Sequence, residues 1–136
     1  MPHITVEYSA NLEERLGIDA LIGALHDAAI ATGLFEIGGI RTRGSRRDHY
    51  RIADANPLNG FVAITVRIGH GRTLEQRRAL GEALFAAASR QLDALFAATP
   101  LALSLEVQEI DPVLNFKRNN LHARIGGRSK PHEDAA

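Results

Sequence analysis

In MPHITVEYS, Pro2 follows directly behind the initiator methionine. Once Met1 is removed, Pro2 carries a free secondary amine, which no other residue type can supply. A chain-terminal amine titrates near 7.7–8.0 in water. Burial and neighbouring cations both disfavour its charged form, which brings it into the range where a general base works at neutral pH. The pyrrolidine ring holds φ near −65° and so aims the lone pair. The structural alternative is a proline at the first residue of a strand, one of the few positions a sheet accepts. The basic residues are the second chemical signal: only Lys117 and Lys130 are lysines, and all the others are arginines. Guanidinium forks suit bidentate recognition of carboxylates or phosphates, although a GC-rich genome produces the same bias. Arg72 lies between Gly71 and Thr73, at the start of an expected helix, where an anion is already favoured.

An internal echo supplies the elements that position these groups. The chain reads ITVEYSANLEERLGIDALIGAL from Ile4 and ITVRIGHGRTLEQRRALGEAL from Ile64. Each copy reads as a strand followed by a helix. Ile4, Val6 and Tyr8 alternate with polar residues, and Ile18, Leu21, Ile22, Leu25 and Ala29 recur at helical spacing. Asn11 with Glu14 and Thr73 with Gln76 match a capping box, and Gly33 suits the position just past a helix. In the second copy Phe61 to Ile68 is a strand. Leu80, Leu84, Ala87, Ala88, Gln91 and Leu95 form a helix face, Pro100 ends it, and LALSLEVQEI alternates as a last strand. Crossover helices imply parallel pairs. The expected fold is α+β in two layers: a duplicated β-α-β unit with a four-stranded mixed sheet and two helices on one face. Between the units, Ile40 to Arg43 reads as a strand, Gly44-Ser45 as a hairpin turn, and ADANPLNG as a loop. Residues 1–125 form one domain, with repeat units at about 2–35 and 60–110. DPVLNFKRNNLHARI is too polar for the core, and 126–136 has the composition of a disordered tail. The face of the sheet without helices is expected to be apolar enough to need a partner copy, with a closed ring as the usual solution.

Composition excludes several classes. The 136 residues have an ordinary apolar fraction of 45 %, no cysteine and no net formal charge. Disulfide frameworks and thiolate zinc sites are out, and the six histidines form no close ligand pair, so no metal is expected. The neutral balance argues against nucleic acid as a partner. No run approaches the ~18 apolar residues of a membrane span, and no signal peptide opens the chain; a cytoplasmic protein is the default.

The segments MPHITVEYS, ATGLFEIGGIRTR, RIGHGRTLEQR, LALSLEVQEID and LNFKRNNLHA, in this order, resemble the tautomerase superfamily. Within it they resemble the 5-carboxymethyl-2-hydroxymuconate isomerase family. That resemblance implies a cofactor-independent homotrimer acting on a small polycarboxylate dienol in homoprotocatechuate (4-hydroxyphenylacetate) meta-cleavage degradation. It implies Pro2 as the base, with Arg41 in GGIRTR and Arg72 in GHGRTLE as the arginines. One would stabilise the developing oxyanion and the other would clamp a carboxylate. Arg43 alternates onto the same side as Arg41. With His70, beside Arg72, and Asn119, in the NFKRNN stretch, it completes the candidate substrate-binding set. His122 has no assigned role, and the run Arg46, Arg47, Arg51 reads as a solvated face. Two alternatives stay open: another superfamily enzyme acting on a small enol or unsaturated acid (a 2-hydroxymuconate or phenylpyruvate tautomerase, a hydratase or a decarboxylase), and a non-catalytic trimeric module that binds anions.

Overall fold

A computed structural model describes residues 1–128. Strand β1 (His3–Ser9) leads through a 3-10 turn into the short helix α1 (Glu13–Leu16) and then α2 (Ile18–Ala31). Strand β2 (Arg41–Arg47) closes the first unit. Strand β3 (Gly60–Ile68), helix α3 (Leu74–Ala98) and strand β4 (Leu101–Glu109) form the second, and a short helix α4 (Leu121–Gly126) follows. The sheet order is β2-β1-β3-β4, with β1–β2 and β3–β4 parallel and the central β1–β3 pair antiparallel. Each helix crossover therefore gives a parallel pair, as the repeat predicts.

The core lies between the sheet and the helices. Strand residues Ile4, Val6, Val62, Ile64 and Val66 meet Leu21 and Leu25 of α2 and Leu80, Leu84 and Leu92 of α3. Complete burial of such a side chain contributes about 1.5–3 kcal/mol. Thr73 and Gln76 make the predicted capping box at the head of α3. Pro100 has no backbone donor to continue that helix, and Leu101 begins β4. The buried face of α3 carries Leu92 where Gln91 was expected: the i, i+4 row from Leu84 and Ala88 leads to Leu92 and leaves the amide in water.

Three other expectations need correction. Asn11 caps no helix; its Nδ2 donates to the carbonyls of Pro57 (3.2 Å) and Asn59 (2.7 Å) and ties the start of the helical layer to the loop before β3. Gly44-Ser45 is no hairpin turn, because β2 runs straight through it beside β1. The glycine is there for space: a Cβ on Gly44 would lie 3.0 Å from Ile18 Cγ1, where α2 crosses β2. The open face of the sheet is mainly polar, with Phe61, Ala63 and Ala102 its apolar members. In register it presents His3, Thr5 and Glu7 of β1, Arg41, Arg43 and Arg47 of β2, Thr65 and Arg67 of β3, and Glu106 and Gln108 of β4. Strict alternation sends every large aliphatic residue of β1 to the helices. Unburied apolar surface lies elsewhere, on Val113, Leu114 and Phe116, which are 77 %, 74 % and 87 % exposed.

After β4 no residue from Asp111 to Arg128 is buried, so this arm is no part of the core. The expected tail begins as chain that is still hydrogen-bonded: α4 reaches Gly126, and Arg128 N–H donates to Ile125 O at 3.1 Å. The rest of it, 129–136, lies outside the described residues.

Candidate active site

Pro2 is buried at the entry to β1, and the β1–β2 pairing sets its surroundings. The backbone N–H of Arg41 donates to the Pro2 carbonyl at 3.1 Å, one step beyond the His3–Arg41 register pair. A 3-10 turn (Ile37–Gly39) precedes β2, and Arg41 curls back so that Nη1 donates to Gly39 O at 2.8 Å. Gly39 packs on the amino terminus, and a Cβ there would sit 3.4 Å from Met1 Cα and 3.7 Å from Pro2 Cδ.

Arg72 comes from the other repeat unit. The turn Gly69-His70-Gly71 follows β3, and Gly71 takes φ +117°, which admits glycine and strains other residues. The Arg72 side chain then folds over the end of the first unit. Nη2 donates to Leu34 O at 2.8 Å, Nη1 donates to Gly69 O at 3.3 Å, and the guanidinium carbon lies 4.5 Å from the Phe35 ring centroid. Two carbonyls and an aromatic face hold the fork in place. A Cβ at Gly69 would lie 3.8 Å from Arg72 Nη1 and 3.9 Å from the amino nitrogen of Met1, so the cation and the chain terminus share one small space.

That space is a cleft of about 250 Å³ lined by Met1, Pro2, Phe35, Glu36, Gly39, Arg72, Lys117 and His122. Its polarity suits an anion: Lys117 and Arg72 face the amino terminus, with Arg41 close by. The terminal amine is held below its ordinary pKa of 8.0, first by burial and then by the charges of Lys117, Arg72 and Arg41. The Pro2 nitrogen exposed by processing is one residue along, among the same groups.

Pro2 and Arg72 line one cleft, and Arg41 stands at its edge through its charge and its bond to Pro2. The other three candidates point elsewhere. Arg43 lies on the open face of the sheet, with Nη1 3.2 Å from His3 Nδ1. His70 is exposed and turns toward Glu109, 3.9 Å away. Asn119 joins the wall behind the cleft: Nδ2 donates to Gly38 O at 3.2 Å, and Oδ1 accepts the N–H of Leu121. Of the basic run, Arg46 pairs with Asp48 at 2.9 Å and Arg47 pairs with Glu7. Among the described residues no cluster of three His, Cys, Asp or Glu is placed to hold a metal ion.

Phe35, Glu36, Lys117 and His122 also line the cleft, a role the sequence reading did not assign to them. Lys117 carried one signal, as the single lysine before the last few residues of a chain otherwise built on arginine. His122 reaches the cleft because Asn119 brings the arm to Gly38. A Cβ on Gly38 would lie 2.8 Å from His122 Nδ1, so the approach requires glycine.

Known proteins resemble this chain in sequence and fold. A family model described as 5-carboxymethyl-2-hydroxymuconate isomerase matches residues 2–125. The 5-carboxymethyl-2-hydroxymuconate Delta-isomerase of Escherichia coli is 41 % identical over 123 residues, 90 % of this chain and 98 % of that protein. The crystal structure of a 5-carboxymethyl-2-hydroxymuconate isomerase from Deinococcus radiodurans R1 superposes with a TM-score of 0.86 at 39 % identity, covering 91 % of this chain and 93 % of that one. A fused 4-OT solved as a symmetric trimer shares the fold at a TM-score of 0.62 and 22 % identity, covering 93 % of this chain and 99 % of its own.

Proposed function

Since the chain belongs to the 5-carboxymethyl-2-hydroxymuconate isomerase family, we propose that it converts 5-carboxymethyl-2-hydroxymuconate to the 2-oxo enone isomer, with Pro2 as general base. The observation that carries this reading is the half-buried chain terminus, whose Met1 amine, one residue from the Pro2 nitrogen, is held below its ordinary pKa by burial and by Lys117, Arg72 and Arg41. A lowered pKa favours a base over the protonated proline that hydration or decarboxylation would need. Pro2 nitrogen takes the proton of the 2-hydroxyl, the electrons move through the conjugated system, and the same nitrogen returns the proton to its far carbon. Atoms balance without a co-reactant. Arg72, pre-oriented by Leu34 O, Gly69 O and Phe35, meets the developing oxyanion, and Arg41 and Lys117 hold carboxylate groups. In this reading Arg43 contributes long-range charge, His70 stands outside the cleft, and Asn119 positions the arm.

We take residues 1–125 as one functional domain, acting in the cytoplasm as a homotrimer in homoprotocatechuate degradation. Among the described residues no helix is long and apolar enough to cross a membrane. The exposed Val113, Leu114 and Phe116, and a groove lined by Leu74, Phe85, Leu105 and Val107, supply apolar surface for a neighbouring subunit. Light scattering on the purified protein tests the trimer.

The function is tested by following loss of the dienol absorbance of freshly prepared 5-carboxymethyl-2-hydroxymuconate. Mass spectrometry first confirms that Met1 has been removed. Pro2→Ala keeps a terminal amine but loses the ring and the secondary nitrogen, and a fall in kcat of about 10²–10⁴-fold is expected. An unchanged rate in the processed variant overturns the proposal.

A further inference from the structure

The cleft contains a histidine–carboxylate contact that the proposed proton shift does not use. His122 Nδ1 lies 2.9 Å from Glu36 Oε2, and both side chains line the cleft. The pairing sits at the mouth of the cleft, with the His122 side chain 37 % and the Glu36 side chain 80 % exposed, and the backbone brings its two segments together. Gly38 carries no side chain, where a Cβ would strike His122, and Asn119 anchors the same turn to the arm. Glu36 sits at the head of that turn. The two groups come from segments more than eighty residues apart and meet at the mouth of an anion site.

We infer that His122, oriented by Glu36, is a specificity-determining residue that binds the carboxylate of the substrate's carboxymethyl branch when its imidazole is protonated. This rests on the proposed substrate class. With Nδ1 held by Glu36, only Nε2 is left for a ligand. Protonated, the ring donates at both nitrogens, and Nε2–H meets a carboxylate while Glu36 is neutralised. Neutral, the ring keeps its proton on Nδ1 for Glu36 and turns a lone pair toward the ligand, next to an unbalanced carboxylate. The third carboxylate is then disfavoured. The other charged groups at the cleft are Lys117, Arg72 and the amino terminus, with Arg41 near the last; on its own segment His122 is flanked by Arg118 and Arg124. Lys117 and the arginines stay cationic through neutral pH. An imidazole is the side-chain type that ordinarily changes charge between pH 5 and 8, and the chain-terminal amine acts on every substrate alike.

That difference defines the experiment. KM is measured between pH 5.5 and 8.5 for 5-carboxymethyl-2-hydroxymuconate and for 2-hydroxymuconate, which lacks the carboxymethyl branch. The ratio of the two KM values cancels the titration of the Pro2 amine. In the parent protein the branched substrate should lose about five- to tenfold of its advantage in KM as pH rises from 5.5 to 8.5, with the ratio of the two kcat values little changed. His122→Gln should abolish the pH dependence of the ratio. Glu36→Gln should weaken it, because Nε2 can then carry the proton of a neutral ring. A ratio independent of pH in the parent, or unaltered by both substitutions, overturns the inference. Dissociation constants of both dienols on the Pro2→Ala background give the same ratio without turnover. Failure of the isomerase reading is thereby told apart from failure of this one.

Discussion

Removing the guanidinium of Arg72 in Arg72→Gln separates its two duties. The side chain is a clip, through Leu34 O at 2.8 Å and Gly69 O at 3.3 Å, and it is the cation that faces the chain terminus over Phe35. Losing the clip leaves two half-buried carbonyls to water and costs about 1 kcal/mol. For 136 residues that lowers Tm by roughly 3–4 °C. Losing the cation removes the donor proposed for the oxyanion, and such losses slow turnover by about 10²–10³-fold. The amine is also relieved of one of the charges that depress it, so the rising limb of kcat/KM should move to higher pH. Arg72→Lys retains charge but not the planar fork or its stacking on Phe35, and an intermediate loss of about tenfold is expected. Dienol absorbance in a stopped-flow instrument across pH 5–9, beside thermal melts of the same samples, reads both effects. If Arg72→Gln shows the small drop in Tm and keeps kcat within about threefold of the parent, Arg72 is a structural clip and the oxyanion role is refuted.

Lys117→Met removes the largest charge contribution that lowers the terminal amine, after burial. Because the folded protein favours the neutral amine, activity rises as pH passes upward through its pKa; the variant should shift that limb upward and be slower at pH 7, as a pH–rate profile will show. The same sign governs folding: disfavouring the charged amine costs stability below the depressed pKa, and stability recovers as pH rises toward the ordinary 8.0. Gly44→Val places a branched side chain against Ile18 Cγ1 and Cδ1, where even a Cβ would stand 3.0 and 3.1 Å away; chemical denaturation should show a loss of about 1–3 kcal/mol. Asn119→Ala frees the arm from Gly38 O and should raise KM several-fold with little change in Tm, since the arm contributes nothing to the core; kinetics and calorimetry on one preparation check both.

What the sequence alone determined was whatever depends on local spacing. Alternation set the strands, the 3.6-residue period set the helices, and Thr73 with Gln76 set the head of α3, because each is decided by neighbours a few residues apart. The repeat then implied the two parallel pairs, and Pro2 could be proposed as a base because its residue type behind Met1 offers a secondary amine. Tertiary structure decided which groups of distant segments meet. Gly44 read as a turn because glycine serves turns and close approaches equally, and the crossing of α2 over β2 selected the second use. The open sheet face read as apolar from composition, yet register turned its aliphatic residues inward and left arginines and glutamates outside. Lys117, Glu36 and His122 gave no local sign of a shared cleft. They meet because Asn119 ties the arm to the turn at Gly38, an encounter between segments about eighty residues apart that short-range periodicity does not encode.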